Sequence, residues 1–91
     1  MKSRKTSKGS RTLLEEQQWV YEKTAKRIKE IRIKNGYNNA EDFAYENDFS
    51  RSQYGKYERE QGSDMRLSTI VKITKALNIS IQEFFSEGFD S

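Results

Sequence analysis

One stretch in the middle of the chain carries the side chains with the clearest binding chemistry. We expect a helix to begin after Ser50 and to run to about Glu60, with Tyr54 and Tyr57 on its inner face. Five polar side chains are then left largely outward: Arg51, Ser52, Gln53, Lys56 and Arg59. Arginine can bond guanine bidentately, glutamine can bond adenine, and serine or lysine can reach bases or phosphates. Such a set is typical of a helix that lies in the major groove of DNA.

The composition excludes several other kinds of site. The 91 residues contain no Cys and no His, so a thiol nucleophile, an imidazole base, a disulfide and a zinc finger are all ruled out. The spacing of the Ser, Lys, Asp and Glu residues does not suggest a catalytic pair. We therefore predict that the protein is not an enzyme and has no catalytic residues, no metal and no cofactor.

The longest apolar run is Trp19-Val20-Tyr21. A run of three residues is far too short for a transmembrane span or the apolar region of a secretory signal. The sequence therefore predicts a cytoplasmic protein with no membrane partner.

Basic charge is concentrated at the N-terminal end. Residues 1–11 contain five basic and no acidic side chains, whereas the other 80 residues contain 12 basic and 14 acidic ones. The net charge of +3 therefore reflects the first segment, and the remainder is slightly acidic. Because residues 1–11 lack large apolar side chains, we predict a disordered basic arm, which could contact DNA, contact an acidic partner or be inert.

Helical signals cover the rest of the sequence. Thr12 and Glu15 have the spacing of a capping box, and apolar residues then recur with helical period as far as about residue 34. One continuous helix and two helices with a break both fit this segment. Gly36 is suited to a left-handed cap at its end, and Asn39 can cap a short second helix.

A fourth and a fifth helix follow a polar loop at 61–64. The clearest apolar stripe in the chain consists of Leu67, Ile70, Val71, Ile73, Thr74 and Leu77. Asn78 can close this helix, and Ser80 with Glu83 forms a second capping-box pattern before Phe84 and Phe85. No segment alternates with period two, so we predict an all-α fold of about five helices.

The second and third predicted helices have helix-turn-helix spacing. Ala44 would lie where the two helices cross, because a larger side chain would push them apart. Asp48 follows four residues later and tolerates the left-handed backbone of a tight turn. Phe49 is the first apolar residue after it.

The order of these features resembles the lambda repressor/Cro-like helix-turn-helix family, also called the XRE family. The resemblance runs from about Ala25 to Phe85. It rests on R-I-K-E-I-R at 27–32, F-A at 43–44, S-R-S-Q-Y at 50–54, Y-E at 57–58 and L-S-T-I-V-K-I-T-K-A-L-N-I-S at 67–80. It implies a compact five-helix domain that binds operator DNA, usually as a dimer.

The resemblance also implies roles for individual residues. Arg51, Ser52 and Lys56 would contact bases, with Gln53 as a further candidate. Arg32 would pair with Glu58 and orient both helices. The predicted phosphate contacts come from Asn39, Arg59, Arg32 and, in the arm, Lys2, Arg4 and Lys5.

Several positions depart from the family pattern. Ala40 replaces the usual Gln, and Glu41 with Asp42 places negative charge where a phosphate normally docks. Asp48 replaces the Gly of the turn, and Arg59-Glu60 replaces Asn-Gly. The loop that follows is about one residue longer, with Met65 where Pro is common.

We divide the chain into the arm at 1–11, a helical extension at 12–24, the helix-turn-helix domain at 25–87 and a tail at 88–91. The extension either covers the body or forms a dimer seam, and the aromatic residues near the C-terminus are the competing interface. The predicted function is a sequence-specific DNA-binding transcriptional regulator, a repressor in particular. The alternative is an antitoxin or an adaptor that uses the apolar ends to bind a toxin or another protein.

Overall fold

Five helices make up residues 11–90, the part of the chain that this computed structural model describes. They are α1 (Leu13–Lys34), α2 (Ala40–Glu46), α3 (Arg51–Tyr57), α4 (Leu67–Ala76) and α5 (Ile81–Phe85). No strand occurs among these residues, so the all-α prediction is confirmed.

The first helix is continuous over 22 residues. Thr12 and Glu15 form a full capping box, because each side chain accepts a hydrogen bond from the other residue's backbone N–H. Thr24, where the helix could have broken, is buried within it. The boundary predicted between residues 24 and 25 therefore falls inside a single helix.

Three helices end in the same way, with one left-handed residue. These residues are Gly36, Asp48 and Asn78, with φ angles of 95°, 61° and 60°. In each case the N–H of the next residue bonds to the carbonyl five positions earlier, as from Phe49 to Ala44 at 2.8 Å. This is the Schellman arrangement, which satisfies carbonyls that a helix end leaves free.

The core lies between α1 and the other four helices. Its fully buried side chains include Ile28 from α1, Phe43 and Ala44 from α2, Tyr54 from α3, Ile73 and Leu77 from the α4 segment and Phe84 from α5. Because every helix contributes to one cluster, the short helices α2, α3 and α5 are held by tertiary packing rather than by their own stability.

Three local predictions differ from the structure. α3 ends at Tyr57, not near Glu60. Leu67 and Val71, which belong to the predicted apolar stripe, are 77% and 51% exposed, so α4 turns a narrower face to the core than its apolar pattern suggests. At α5 only half of the capping box forms: the Ser80 side chain accepts from the Glu83 N–H.

The helical extension and the C-terminal tail meet. The Trp19 and Phe89 rings pack edge to face at a centroid separation of 6.5 Å. Arg11 folds back on the same region: its Cζ lies 4.4 Å from the Trp19 ring, and its Nε is 2.8 Å from Glu16 Oε1. The two ends that compete as interfaces in the sequence therefore share one surface, and Leu13 and Leu14 remain exposed beside it.

The extension also receives the loop between α3 and α4. Gln18 Nε2 donates to the carbonyl of Gln61 at 2.7 Å. Gly62 lies so close to α1 that a Cβ there would stand 2.3 Å from the carbonyl carbon of Tyr21. No other residue fits this approach without moving the backbone, and φ of Gly62 is positive as well.

Arg27 joins α1 to the end of α5. Its Nε donates to the carbonyl of Phe84 at 2.7 Å, and its Nη2 donates to the carbonyl of Glu83 at 2.9 Å. The cation therefore lies at the negative end of α5. It donates to the carbonyl of Phe84 and adds a further bond to the carbonyl of Glu83, which also accepts from the Ser86 N–H and hydroxyl. Glu87 lies 3.5 Å from Nη1 and adds an ion pair on the solvent side.

Replacing Arg27 should destabilise the fold measurably. We expect Arg27→Ala to lower the free energy of unfolding by about 2 kcal/mol, because the buried bond to the carbonyl of Phe84 is lost and that carbonyl is left without its donor. Urea denaturation followed by circular dichroism measures this change. The neighbouring, exposed Lys26→Ala is the matched control and should change stability by less than about 0.5 kcal/mol. Equal losses in the two variants would contradict the assigned role of Arg27.

Candidate nucleic-acid interface

The α2–turn–α3 unit is built around Ala44. This residue is fully buried, and its carbonyl accepts the hydrogen bond from the Phe49 N–H that closes the turn. Ser50 then caps α3, because its Oγ accepts from the Gln53 N–H at 3.2 Å. Small volume at Ala44 and left-handed backbone at Asp48 together set the path of the chain from α2 into α3.

Side chains from α2, α3 and α4 pack around Phe49 and hold the turn in place. Phe49 packs against Phe43, Tyr54 and Tyr57, with ring centroids between 5.4 and 6.5 Å apart. Lys72 of α4 covers the other side: its Nζ lies 4.5 Å from the Phe49 ring centroid and donates to the carbonyl of Asp48 at 3.4 Å. These aromatic residues serve as packing around the turn, as the helical spacing of Tyr54 and Tyr57 indicates.

The outer face of α3 is free of protein contacts over most of its length. Arg51, Ser52, Gln53 and Lys56 are all exposed. On a helix whose inner residue is Tyr54, Ser52 and Lys56 lie on the outward side, while Arg51 and Gln53 flank it. Gly55 has open space around it, since a Cβ there would meet no atom within 4 Å.

The two flanking residues have different neighbours. Arg51 lies next to α2, with Nη2 3.9 Å from Glu41 Oε2. Gln53 and Lys56 line an open groove of about 470 Å³ against the loop and the start of α4. Arg66 also lines that groove, as does the acidic Asp64. Sequence reasoning missed Arg66, because nothing in the pattern of the loop indicates that it folds back beside Lys56.

The residues predicted to contact phosphate lie in different settings. Arg59 is exposed just beyond the end of α3. Asn39 is exposed and caps α2: its Oδ1 accepts from the N–H groups of Glu41 and Asp42 at 2.7 and 3.4 Å. Only the amide group of Asn39 therefore remains for a further contact. Lys2, Arg4 and Lys5 lie outside the described residues.

Arg32 is placed differently from the other predicted contacts. It forms a two-pronged ion pair with Glu58, with Nε and Nη2 at 2.7 and 2.9 Å from the two carboxylate oxygens. Its Nη1 donates to the carbonyl of Tyr37 at 2.6 Å. The side chains of Arg32 and Glu58 are 5% and 9% exposed. With its donors engaged and buried, Arg32 is left out of the phosphate contacts that we propose below.

Tyr54 completes this buried group. Its hydroxyl donates to Glu58 Oε2 at 2.5 Å. Burial, reinforced by the hydrogen bond to Glu58, raises the pKa of Tyr54 far above its ordinary value near 10. Hydrogen bonding to Glu58 also raises the pKa of Arg32 against the opposing effect of burial. The hydroxyl and the guanidinium therefore remain protonated donors at neutral pH, and the group ties α1 to the end of α3.

Comparison with known families decides the class of this unit. A family model described as Helix-turn-helix (HTH_3) matches residues 28–84, which is more than half of the chain and includes all of α2, α3 and α4. The chain belongs to this helix-turn-helix family. Searches among curated proteins and among solved structures gave no match.

Membership confirms the resemblance to lambda repressor-like proteins that the residue pattern predicts. The function of this helix-turn-helix domain is of the DNA-binding, transcription-regulator type, and proteins of the family are typically not enzymes. Among residues 11–90, no helix is both long and apolar enough to span a membrane, and no cluster of acidic side chains could hold a metal ion.

The electrostatics of the helix-turn-helix unit are unusual for a DNA-binding surface. Residues 39–66 contain seven acidic and four basic side chains. The four basic ones, Arg51, Lys56, Arg59 and Arg66, are all exposed, whereas Glu58 is neutralised by Arg32. The basic groups therefore lie on and beside α3, although the unit as a whole is acidic.

Because the side chain of Glu58 is buried and paired whereas Glu60 is exposed, we expect their removal to change the free energy of unfolding by very different amounts. Glu58→Ala should lower the free energy of unfolding by about 3 kcal/mol, because it leaves the charge of Arg32 buried without a partner. Glu60→Ala removes an exposed carboxylate two residues later and should cost less than about 0.5 kcal/mol. Tyr54→Phe removes one hydrogen bond and should cost about 1 kcal/mol. Urea denaturation of all three variants provides the comparison, and a Glu58→Ala protein as stable as the wild type would contradict it.

Proposed function

We propose that this protein binds duplex DNA sequence-specifically and acts as a transcriptional repressor by inserting α3 into the major groove. The observation that carries the proposal is the exposed face of α3, where four side chains able to bond bases lie on a helix anchored by the buried Tyr54. Arg51, Ser52, Gln53 and Lys56 are the proposed base contacts, with chemistry suited to guanine, adenine and phosphate.

Phosphate contacts would come from both sides of α3. Arg59 follows the helix, and Asn39 lies at the start of α2 with its amide group free to donate. Arg66 joins this set because it shares the groove with Lys56. We also propose that the basic arm, with Lys2, Arg4 and Lys5, supplies positive charge that the acidic body lacks.

A homodimer would place two copies of α3 in successive major grooves. The half-sites would then lie about 34 Å apart, one turn of DNA. The surface where the helical extension meets the C-terminal tail is the proposed interface, because Leu13, Leu14 and Phe85 leave apolar area exposed there.

The same exposed apolar residues favour a second candidate function. An antitoxin would bind DNA with α3 and capture a toxin with this surface, and an adaptor would bind only a protein. The acidic excess over residues 39–66 supports the adaptor, since it weakens the attraction to phosphates. Co-purification of a partner by a protein with no affinity for any duplex identifies the adaptor.

Selection of bound sequences from a random duplex pool tests the recognition helix. We expect Arg51→Ala to lose preference at one base position, by about 1–3 kcal/mol, because the bidentate contact to guanine is removed. Lys75→Ala, an exposed cation on α4, is the control and should retain the wild-type preference. An Arg51→Ala protein that selects the same sequences as the wild type would overturn the assignment of α3.

Deletion of residues 1–10 tests the arm while retaining Arg11, which packs on α1. Binding to one duplex is measured over a range of salt concentrations. An arm on DNA contributes about 0.9 to the salt slope for each phosphate contact, so the truncated protein should show a shallower slope and the same base preference. A slope that does not change would exclude the arm from the interface.

A further inference from the structure

Arg51 stands at an electrostatically unfavourable position for a free arginine. It is the first residue of α3, whose first turn contains no acidic side chain. The N-terminal end of a helix carries partial positive charge, so a cation there is repelled. A long, exposed arginine in that field would otherwise spread over many rotamers.

Glu41 supplies the opposing charge from the neighbouring helix. Its Oε2 lies 3.9 Å from Nη2 of Arg51, and the two side chains are 66% and 67% exposed. Glu41 itself lies in the first turn of α2, where a carboxylate is favoured. The close packing of α2 on α3 around Ala44 therefore brings Glu41 and Arg51 together, each in the first turn of its helix.

The geometry of this pair differs from that of Arg32 and Glu58 in a way that matters for binding. Arg32 gives hydrogen bonds to Glu58 and Tyr37 from all three of its nitrogens. At 3.9 Å, Arg51 and Glu41 attract each other but share no hydrogen bond. The donors of Arg51 therefore remain free for a base, while its position is biased by the neighbouring charge.

We propose that Glu41 is a positioning residue for base recognition, whose carboxylate holds the guanidinium of Arg51 at the edge of α3 without occupying its donors. This inference rests on the proposed function, since it assigns a determinant of specificity within the same surface. The same carboxylate lowers affinity for DNA, because a negative charge at the start of α2 repels the phosphates of any duplex. Glu41 thus raises discrimination between bases and lowers affinity for DNA of every sequence.

A matched pair of variants distinguishes the effect of Glu41 on base discrimination from its effect on general DNA affinity. Glu41→Gln removes the charge that holds Arg51. Asp42→Asn removes the same charge one residue later, and within residues 11–90 Asp42 makes no ion pair. Both side chains are exposed, so the fold should be unaffected, which circular dichroism and thermal melting verify.

The experiment measures binding of each full-length variant to the selected duplex and to duplexes changed at the base that Arg51→Ala identifies. Both variants should bind all duplexes more tightly at low salt, because repulsion of phosphate falls. Only Glu41→Gln should lose discrimination at that base, by about two- to fivefold, the range of an exposed ion pair. In an Arg51→Ala background, Glu41→Gln should change discrimination no further.

The outcomes distinguish a failure of the role proposed for Glu41 from a failure of the proposed function. Suppose that base preference depends on Arg51, but that the Glu41→Gln and Asp42→Asn proteins discriminate equally well at that base. This result overturns the role of Glu41 and leaves the proposed function intact. If Glu41→Gln still lowers base discrimination in the Arg51→Ala background, the role of Glu41 is overturned as well. A wild-type protein with no base preference that depends on Arg51 overturns the proposed function, and the role of Glu41 falls with it.

Discussion

The buried ion pair between Arg32 and Glu58 determines where α3 lies relative to α1. Removing two charges from water costs several kcal/mol for each ion, and the cost is offset here because each charge is fully bonded. Arg32 lies in the last turn of α1 and Glu58 at the end of α3, so the pair joins the ends of two helices. Tyr54 bonds the same carboxylate and packs on Phe43 of α2. A rotation of α3 would break all of these contacts together, so its outward face is presented in one orientation.

Local signals account for most of what the sequence predicts correctly. Capping at Thr12, Asn39 and Ser50 depends only on side chains within three residues, and the left-handed residues Gly36 and Asp48 are recognisable from residue type. The exposure of Arg51 and Lys56 follows from the buried position of Tyr54 and the half-buried position of Tyr57. For these features the sequence pattern and the tertiary fold agree, because the same short-range chemistry controls both.

Long-range contacts explain the features that the sequence does not predict. The chain beyond the end of α3 is held by such contacts: Glu58 is bonded to Arg32, 26 residues earlier, and Gly62 approaches the backbone of Tyr21. Leu67, the first residue of α4, is exposed because the core reaches only part of the apolar face of this helix, which apolar periodicity does not report. In the candidate site, Arg32 has two predicted roles, and the three bonds around its guanidinium show that it forms the ion pair with Glu58.

The contacts between α1 and the C-terminal end of the described chain have a consequence for the order of folding. Arg27 is bonded to the carbonyl of Phe84, 57 residues later, and Trp19 packs on Phe89. Closing so long a loop has a high entropic cost and slows the step that forms it. While the chain emerges from the ribosome, α2 and α3 can pack on each other before the partners of Arg27 and Trp19 exist. We therefore expect the helix-turn-helix pair to belong to the early folding nucleus and the extension to dock last.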